Sequence, residues 1–203
     1  MEDSLSTDAR LVLDLALTIR HDGHGGVADD LTDVTGLVAW VEQHRDALPA
    51  AERFVADHSM LAAVRDLRAA ARALFARAVL PGAPSPADAA RLMPAAEAVA
   101  RLNAAAALAP AVPVLAWPDG ADPAVRQKPV DAGAPLTAGL ARAAIAFLAS
   151  PDRQRLRACH GPRCVRYFIK EHPRQEWCKP SCGNRARVAR HHERHKNSVQ
   201  RGT

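Results

Sequence analysis

Apolar residues recur at helical spacing through most of the first 150 positions. Leu11, Val12, Leu15, Ala16 and Ile19 stand three and four apart, the stripe of an amphipathic helix, with Ser6, Thr7 and Asp8 ahead of it as N caps. The same stretch, LVLDLAL, also alternates around Asp14, so a short strand stays open there. HDGHGGVADDLTD comes next and reads as a loop because Gly and Asp crowd it. Its histidines, His21 and His24, lie near Asp22 and Asp29 but have no second constellation to answer them, and they read as solvated. From Thr32 the helical period returns, with Asp33 or Thr35 to cap, Leu37, Val38, Trp40, Val41 and His44 on one face, and Leu48 and Pro49 to close.

The clearest helical stretch is Ala50 to Val79, where Phe54, Val55, Leu61, Val64, Leu67, Ala71, Leu74, Phe75 and Ala78 keep the period. Arg65, Arg68, Arg72 and Arg77 mostly fall outside the stripe and read as its solvated face. PGAPSPADAARL breaks the helix, and Ser85, Pro86 and Asp88 can start another through Leu92, Ala96, Val99, Leu102 and Asn103 to about Leu108, with a kink or break at Pro94. In AVPVLAWPDGADPAVRQKPV the residues Val112, Val114 and Ala116 share one side of an extended chain. The Pro118, Asp119, Gly120 turn lets the segment around Val125 and Gln127 return antiparallel, as a small hairpin whose prolines confine it to edge strands. A last helix runs from about Leu136 through Leu140, Ala143, Ala144, Phe147 and Leu148, and stops at Ser150 and Pro151. The expected fold is mainly α: a helical domain over residues 1–150 with one small β-hairpin, followed by a different unit over 151–203.

Charge marks the same division. Residues 1–150 carry 13 Lys/Arg against 18 Asp/Glu, a balance of −5, whereas residues 151–203 carry 14 against 4, a balance of +10. A basic end of this size points to a polyanion, nucleic acid before a membrane surface. No apolar run approaches a membrane span, and with Glu2, Asp3, Asp8, Arg10, Asp14 and Arg20 in the first twenty residues no secretory signal is expected there. A cytoplasmic protein with no membrane association is therefore expected.

All four cysteines fall in the basic end. Cys159 and Cys164 have four residues between them, Cys178 and Cys182 three, and thirteen residues separate the pairs. Two short pairs joined in this way can place four thiolates around one tetrahedral Zn²⁺, and in a reducing compartment they favour metal over disulfides. Four protein ligands leave no open position, so the expected zinc is single and structural rather than catalytic. Gly161 and Pro162 supply a bend in the first pair, Val165, Tyr167 and Phe168 suit a short strand, and Pro180 suits the first turn of a helix that begins at the second pair. This makes a zinc finger of hairpin followed by helix. His191 and His195 are a turn apart, but His195 is 13 residues beyond Cys182, roughly 20 Å along a helix, too far to share its ion. On the same helix Arg187, Arg190 and Arg194 point one way, and Arg185, His191, Lys196 and Arg201 widen the positive field.

Cys182, Gly183, Asn184 and Arg185, closing a four-cysteine site, resemble the CGNR zinc finger family; the aromatics after the first pair, the Trp177–Cys178 dipeptide and Ala186–Arg187 extend the likeness. The linker IKEHPRQE departs from the family's usual pattern, with Lys170 near an expected acidic position. In that family the finger follows a mostly α ABATE domain, described as a stress-induced transcription regulator, and residues 9–150 resemble that domain in layout. The resemblance implies a transcription regulator whose finger binds DNA, and the basic helix offers Arg185, Arg187, Arg190, Arg194 and Lys196 as the nucleic-acid contacts. Residues 1–150 would then sense a small-molecule or protein signal, or form a homodimer. The alternative is a zinc-stabilised interaction module whose basic helix docks a protein partner or RNA. An enzyme is not expected: the sequence offers no nucleophile and base pair, no phosphate loop and no open metal site.

Overall fold

The computed structural model describes residues 5–22, 24, 26–48, 54–89, 91–130 and 135–200, and the side chains of all of these except 127, 129 and 195–200. Three helices begin on the side chains that chemistry selects. Ser6 accepts the Ala9 N–H at 3.2 Å and opens α1 (Thr7–Leu17); Asp33 accepts from Gly36 at 2.8 Å and opens α2 (Val34–Gln43). Asp57 accepts from Met60 at 2.7 Å and opens α3 (His58–Ala78). Each such cap satisfies a backbone N–H that the first helical turn leaves without a partner. LVLDLAL is thus helix, and the ambiguity with a strand resolves because its period-3.6 face is the buried one: Leu11, Val12, Leu15 and Ala16 are at most 3% exposed.

Two expectations about the chain's breaks need correction. The Gly/Asp-rich stretch after α1 holds a short antiparallel hairpin, β1 (Ile19–His21) with β2 (Val27–Asp29), in which Ile19 pairs with Asp29 and His21 with Val27. The fourth helix, α4 (Ala95–Ala107), starts at Pro94 as its N-cap residue, so of the kink or break expected there the break forms; residues 86–89 are turn rather than the start of this helix. The expected helical run from Ala50 begins at His58, and residues 49–53 lie outside the described residues.

The proline-rich hairpin forms as expected, with β3 (Ala111–Ala116) antiparallel to β4 (Ala124–Pro129) and Val114 opposite Arg126. It stands off the helical body, leaving Val112, Val114, Leu115 and Val125 exposed. The following helix, α5 (Leu136–Ala149), buries eight of its residues, including Leu140, Ala144 and Phe147, and packs against α1, α3 and α4. A helix apolar on nearly every face belongs at the centre of the core.

A 3₁₀ turn, Pro151–Arg155, then leads into a third hairpin, β5 (Leu156–Ala158) with β6 (Tyr167–Ile169), in the register Leu156–Ile169, Arg157–Phe168 and Ala158–Tyr167. The chain ends in α6 (Pro180–Gln200). Leu156, Ala158, Tyr167 and Ile169 belong to the same buried cluster as α1, α3 and α5. The principal core therefore runs across position 150 without a seam.

Candidate metal centre and basic helix

Alternation along β6 assigns its side chains to two different interiors. Tyr167 and Ile169 face the helical core, where Phe75 meets Tyr167 edge-on at 5.5 Å between centroids. Phe168, between them, packs with Cys159, Cys164 and Cys182, and Trp177 and Cys178 close the cluster. A strand with period 2 needs only three residues to wall one core from another.

The four Sγ atoms all lie within 4.8 Å of one another. Cys178 is the hub, 3.6 Å from Cys164 Sγ and 3.6 Å from Cys182 Sγ. Tetrahedral zinc with Zn–S of about 2.3 Å requires sulfurs about 3.8 Å apart, while a disulfide requires about 2.0 Å. The spacing fits one zinc ion held by Cys159, Cys164, Cys178 and Cys182, and it excludes the two disulfides. Without a cation so many thiols cannot ionise together: hydrogen bonds from Cys164 and then Cys178 hold the Cys159 thiol well below its ordinary value, and the same interaction with Cys159 drives Cys164 and Cys178 upward. A divalent cation removes that conflict by stabilising every thiolate at once.

The loop between the first two ligands is made by close approach and by one strained residue. Cys164 N–H donates to Gly161 O at 2.8 Å, and Arg163 takes φ of 62°, a left-handed conformation uncommon outside glycine. Gly161 is required for space: a Cβ there would stand 2.8 Å from Cys182 Cβ. Across the site Gly183 has the same constraint, since its Cβ would meet Trp177 Cδ1 at 2.9 Å. In the departing linker, Gln175 ties the ends together, accepting from Glu171 N–H at 2.7 Å and donating to Trp177 O at 3.3 Å.

Arg185 works within the finger, a role that its spacing did not disclose. Its Nε donates to Pro162 O at 3.0 Å and its Nη2 to Cys182 Sγ at 3.1 Å, clamping the first ligand loop onto the start of α6. The other residues of the basic face point elsewhere. At about 100° per residue, Arg187, Arg190 and Arg194 lie within an arc of about 60°, on the side away from Arg185. All three are exposed. Arg187 also donates to Asn184 Oδ1 at 3.1 Å. The first turn of α6 meets the rest of the finger through Cys182, Gly183 and Arg185, and residues 190–194 are exposed throughout. The side chains of His195 and Lys196, together with Arg201, lie outside the described residues.

Two of the four α3 arginines correct the reading of a solvated face, while Arg65 and Arg77 are exposed as expected. Arg68 is buried and grips Asp29 with both Nη atoms, at 2.5 and 2.6 Å, and Thr18 Oγ1 at 2.8 Å. Arg72, 2% exposed, bonds Asp88 at 2.8 Å, Ala16 O at 2.6 Å, and Ser85 Oγ and Val165 O at 3.2 Å each. Asp88 in turn accepts from Tyr167 Oη at 2.7 Å, and Ser85 Oγ donates to Val165 O at 2.7 Å. Burial, then the Asp88 charge, push the Tyr167 phenol upward and keep it neutral. The long methylene stem of arginine lets it sit beside an apolar stripe and still bury its head. His21 and His24 join no metal cluster: among the described residues the four cysteines are the one group of metal-donor side chains found together.

Fold and site together define a helical domain continued into a four-thiolate zinc finger with an arginine-bearing helix. The family model of ABATE, described as "putative stress-induced transcription regulator", matches residues 9–151, and that of the CGNR zinc finger matches residues 155–195. The chain belongs to the ABATE family and carries a CGNR zinc finger at its C-terminal end. No curated protein matches it. No helix among the described residues is long and apolar enough to cross a membrane.

Proposed function

We propose that the protein is a DNA-binding transcription regulator of the stress-response kind, acting in the cytoplasm, in which the zinc finger presents α6 to the duplex and residues 1–150 receive the signal or join two copies. It regulates rather than catalyses. The observation that carries this reading is the exposed arc of Arg187, Arg190 and Arg194 on a helix whose first turns are fixed to the metal centre. A helix of 21 residues spans about 31 Å and fits the major groove, which is about 12 Å wide. Arginine forks suit phosphate and guanine edges alike. Arg185 holds the helix in place and Arg187, Arg190 and Arg194 make the contacts. The family description supports the regulatory part of the reading.

Titration of the zinc-loaded chain onto duplex DNA between low and moderate salt tests it. Affinity is expected to fall linearly in log–log form, with a slope of about −0.9 for each phosphate neutralised, and R187Q/R190Q/R194Q to flatten that slope by about 2 to 3. Absence of binding at low salt, or a slope indifferent to the three substitutions, would contradict the proposal.

A further inference from the structure

Where α3 and α5 end beside the middle of α4, they leave a groove of about 540 Å³, within the range of small-molecule sites. Leu74, Leu80, Val99, Ile145 and Leu148 form its walls, and Val99 and Leu80 are 43% and 66% exposed. Its polar groups are Arg77, Arg153 and Asn103, and no Asp or Glu lines it. A neighbouring groove of about 480 Å³ shares Leu80 and Arg153, adds Arg157 and again has no acidic residue.

Within α3 and the turn after α5, these two arginines differ from their neighbours. On α3, Arg65, Arg68 and Arg72 all have carboxylate partners, and on the turn after α5 Arg155 pairs with Asp152. Arg77, on the same helix, and Arg153, on the same turn, have no side-chain hydrogen bond or ion pair among the described residues. Two uncompensated guanidinium groups at the rim of an apolar groove are complementary to one kind of molecule: an anion with an apolar body. A carboxylate is the smallest head group that an arginine fork holds through two parallel bonds.

We infer that this groove binds an amphipathic carboxylate, its apolar tail or ring lying between α4 and α5 and its head group held by Arg77 and Arg153, with the Asn103 amide beside it. The inference rests on the reading of residues 1–150 as the part that receives a signal, and it gives that signal a chemical class. Arg153 sits in the turn that leads directly into β5, so the head group touches the connection between the helical core and the finger.

The test is calorimetric titration of the zinc-loaded full chain with octanoate, 1-octanol and acetate, without DNA. Octanoate is expected to saturate at one per chain, octanol to bind at least about tenfold more weakly, and acetate not to bind. R77Q/R153Q is expected to weaken octanoate at least about tenfold with an unchanged thermal midpoint, since both side chains are exposed. Val99→Trp, which fills the groove, should abolish saturation. The inference is overturned if octanoate does not saturate, if octanol binds equally, or if R77Q/R153Q keeps the wild-type affinity. R187Q/R190Q/R194Q must leave octanoate binding unchanged, so failure at the groove and failure at the DNA helix are read separately.

Discussion

Tyr167 Oη donates to Asp88 Oδ2 at 2.7 Å, joining the strand that backs the metal centre to a loop 79 residues earlier in the chain. Arg72 completes the unit from α3, with its guanidinium carbon 5.2 Å from the centre of the Tyr167 ring. The finger's hairpin is therefore held by the helical core through a buried ionic network as well as by apolar packing. Tyr167→Phe leaves Asp88 one partner short and is expected to cost about 1.5–3 kcal/mol. Arg72→Met removes the cation that compensates the buried Asp88 charge and the side-chain donor to Ala16 O, and should cost about 3–5 kcal/mol. Urea denaturation measures both, and in a cycle with Asp88→Asn the Arg72 and Asp88 losses should be strongly non-additive.

Acid sensitivity follows from Asp29. Desolvation tends to raise its pKa, but hydrogen bonds from Arg68 and the Leu31 N–H, with the charges of Arg68 and Arg65, hold it below 3.8 in the folded chain. A depressed folded pKa stabilises the native state above the unfolded value and is lost as pH falls through the folded value. Asp29→Asn should lower the urea midpoint at neutral pH, and wild type and variant should converge below pH 3.8. A constant gap between them down to strong acid would argue against this role.

Steric limits at two glycines give a prediction about metal affinity. Gly161→Ala pushes on Cys182 Cβ, which cannot yield without moving a ligand sulfur, while Gly183→Ala pushes on the Trp177 ring. Chelator competition should show zinc affinity reduced roughly 10–100-fold in Gly161→Ala, the usual scale for neighbours that fix a ligand's position. Gly183→Ala should shift Trp177 emission as its first effect.

How much of this was legible in the sequence depended on whether the signal was local. The metal ligands could be read because Cys spacing is a local constraint, and α2 and α5 because helical period is local too, whereas LVLDLAL carried two periods and only its buried face decides for helix. Arg68 and Arg72 looked like surface residues since periodicity reports which face a Cα occupies, not where a long side chain ends. Their partners, Asp29 and Asp88, lie 39 and 16 residues away, beyond any window of pattern. The split role of β6 was hidden for the same reason: Val165, Tyr167 and Phe168 read as a short strand, but nothing local states that its two faces enter two different interiors. Arg185 resembled its basic neighbours until its Nε was found on Pro162 O, 23 residues upstream.

The central claim is that Cys159, Cys164, Cys178 and Cys182 hold one zinc ion that fixes α6 against the hairpin. Because Cys178 is the sulfur closest to two others, metal analysis of the wild type and of Cys178→Ser tests it most directly. A structural site of this kind contributes on the order of 10 kcal/mol to the fold it closes. The account predicts one zinc per wild-type chain, and in Cys178→Ser the loss of that zinc together with protection of the 159–190 segment in hydrogen exchange. Undiminished zinc in the variant, or a wild-type chain that binds none, would contradict it.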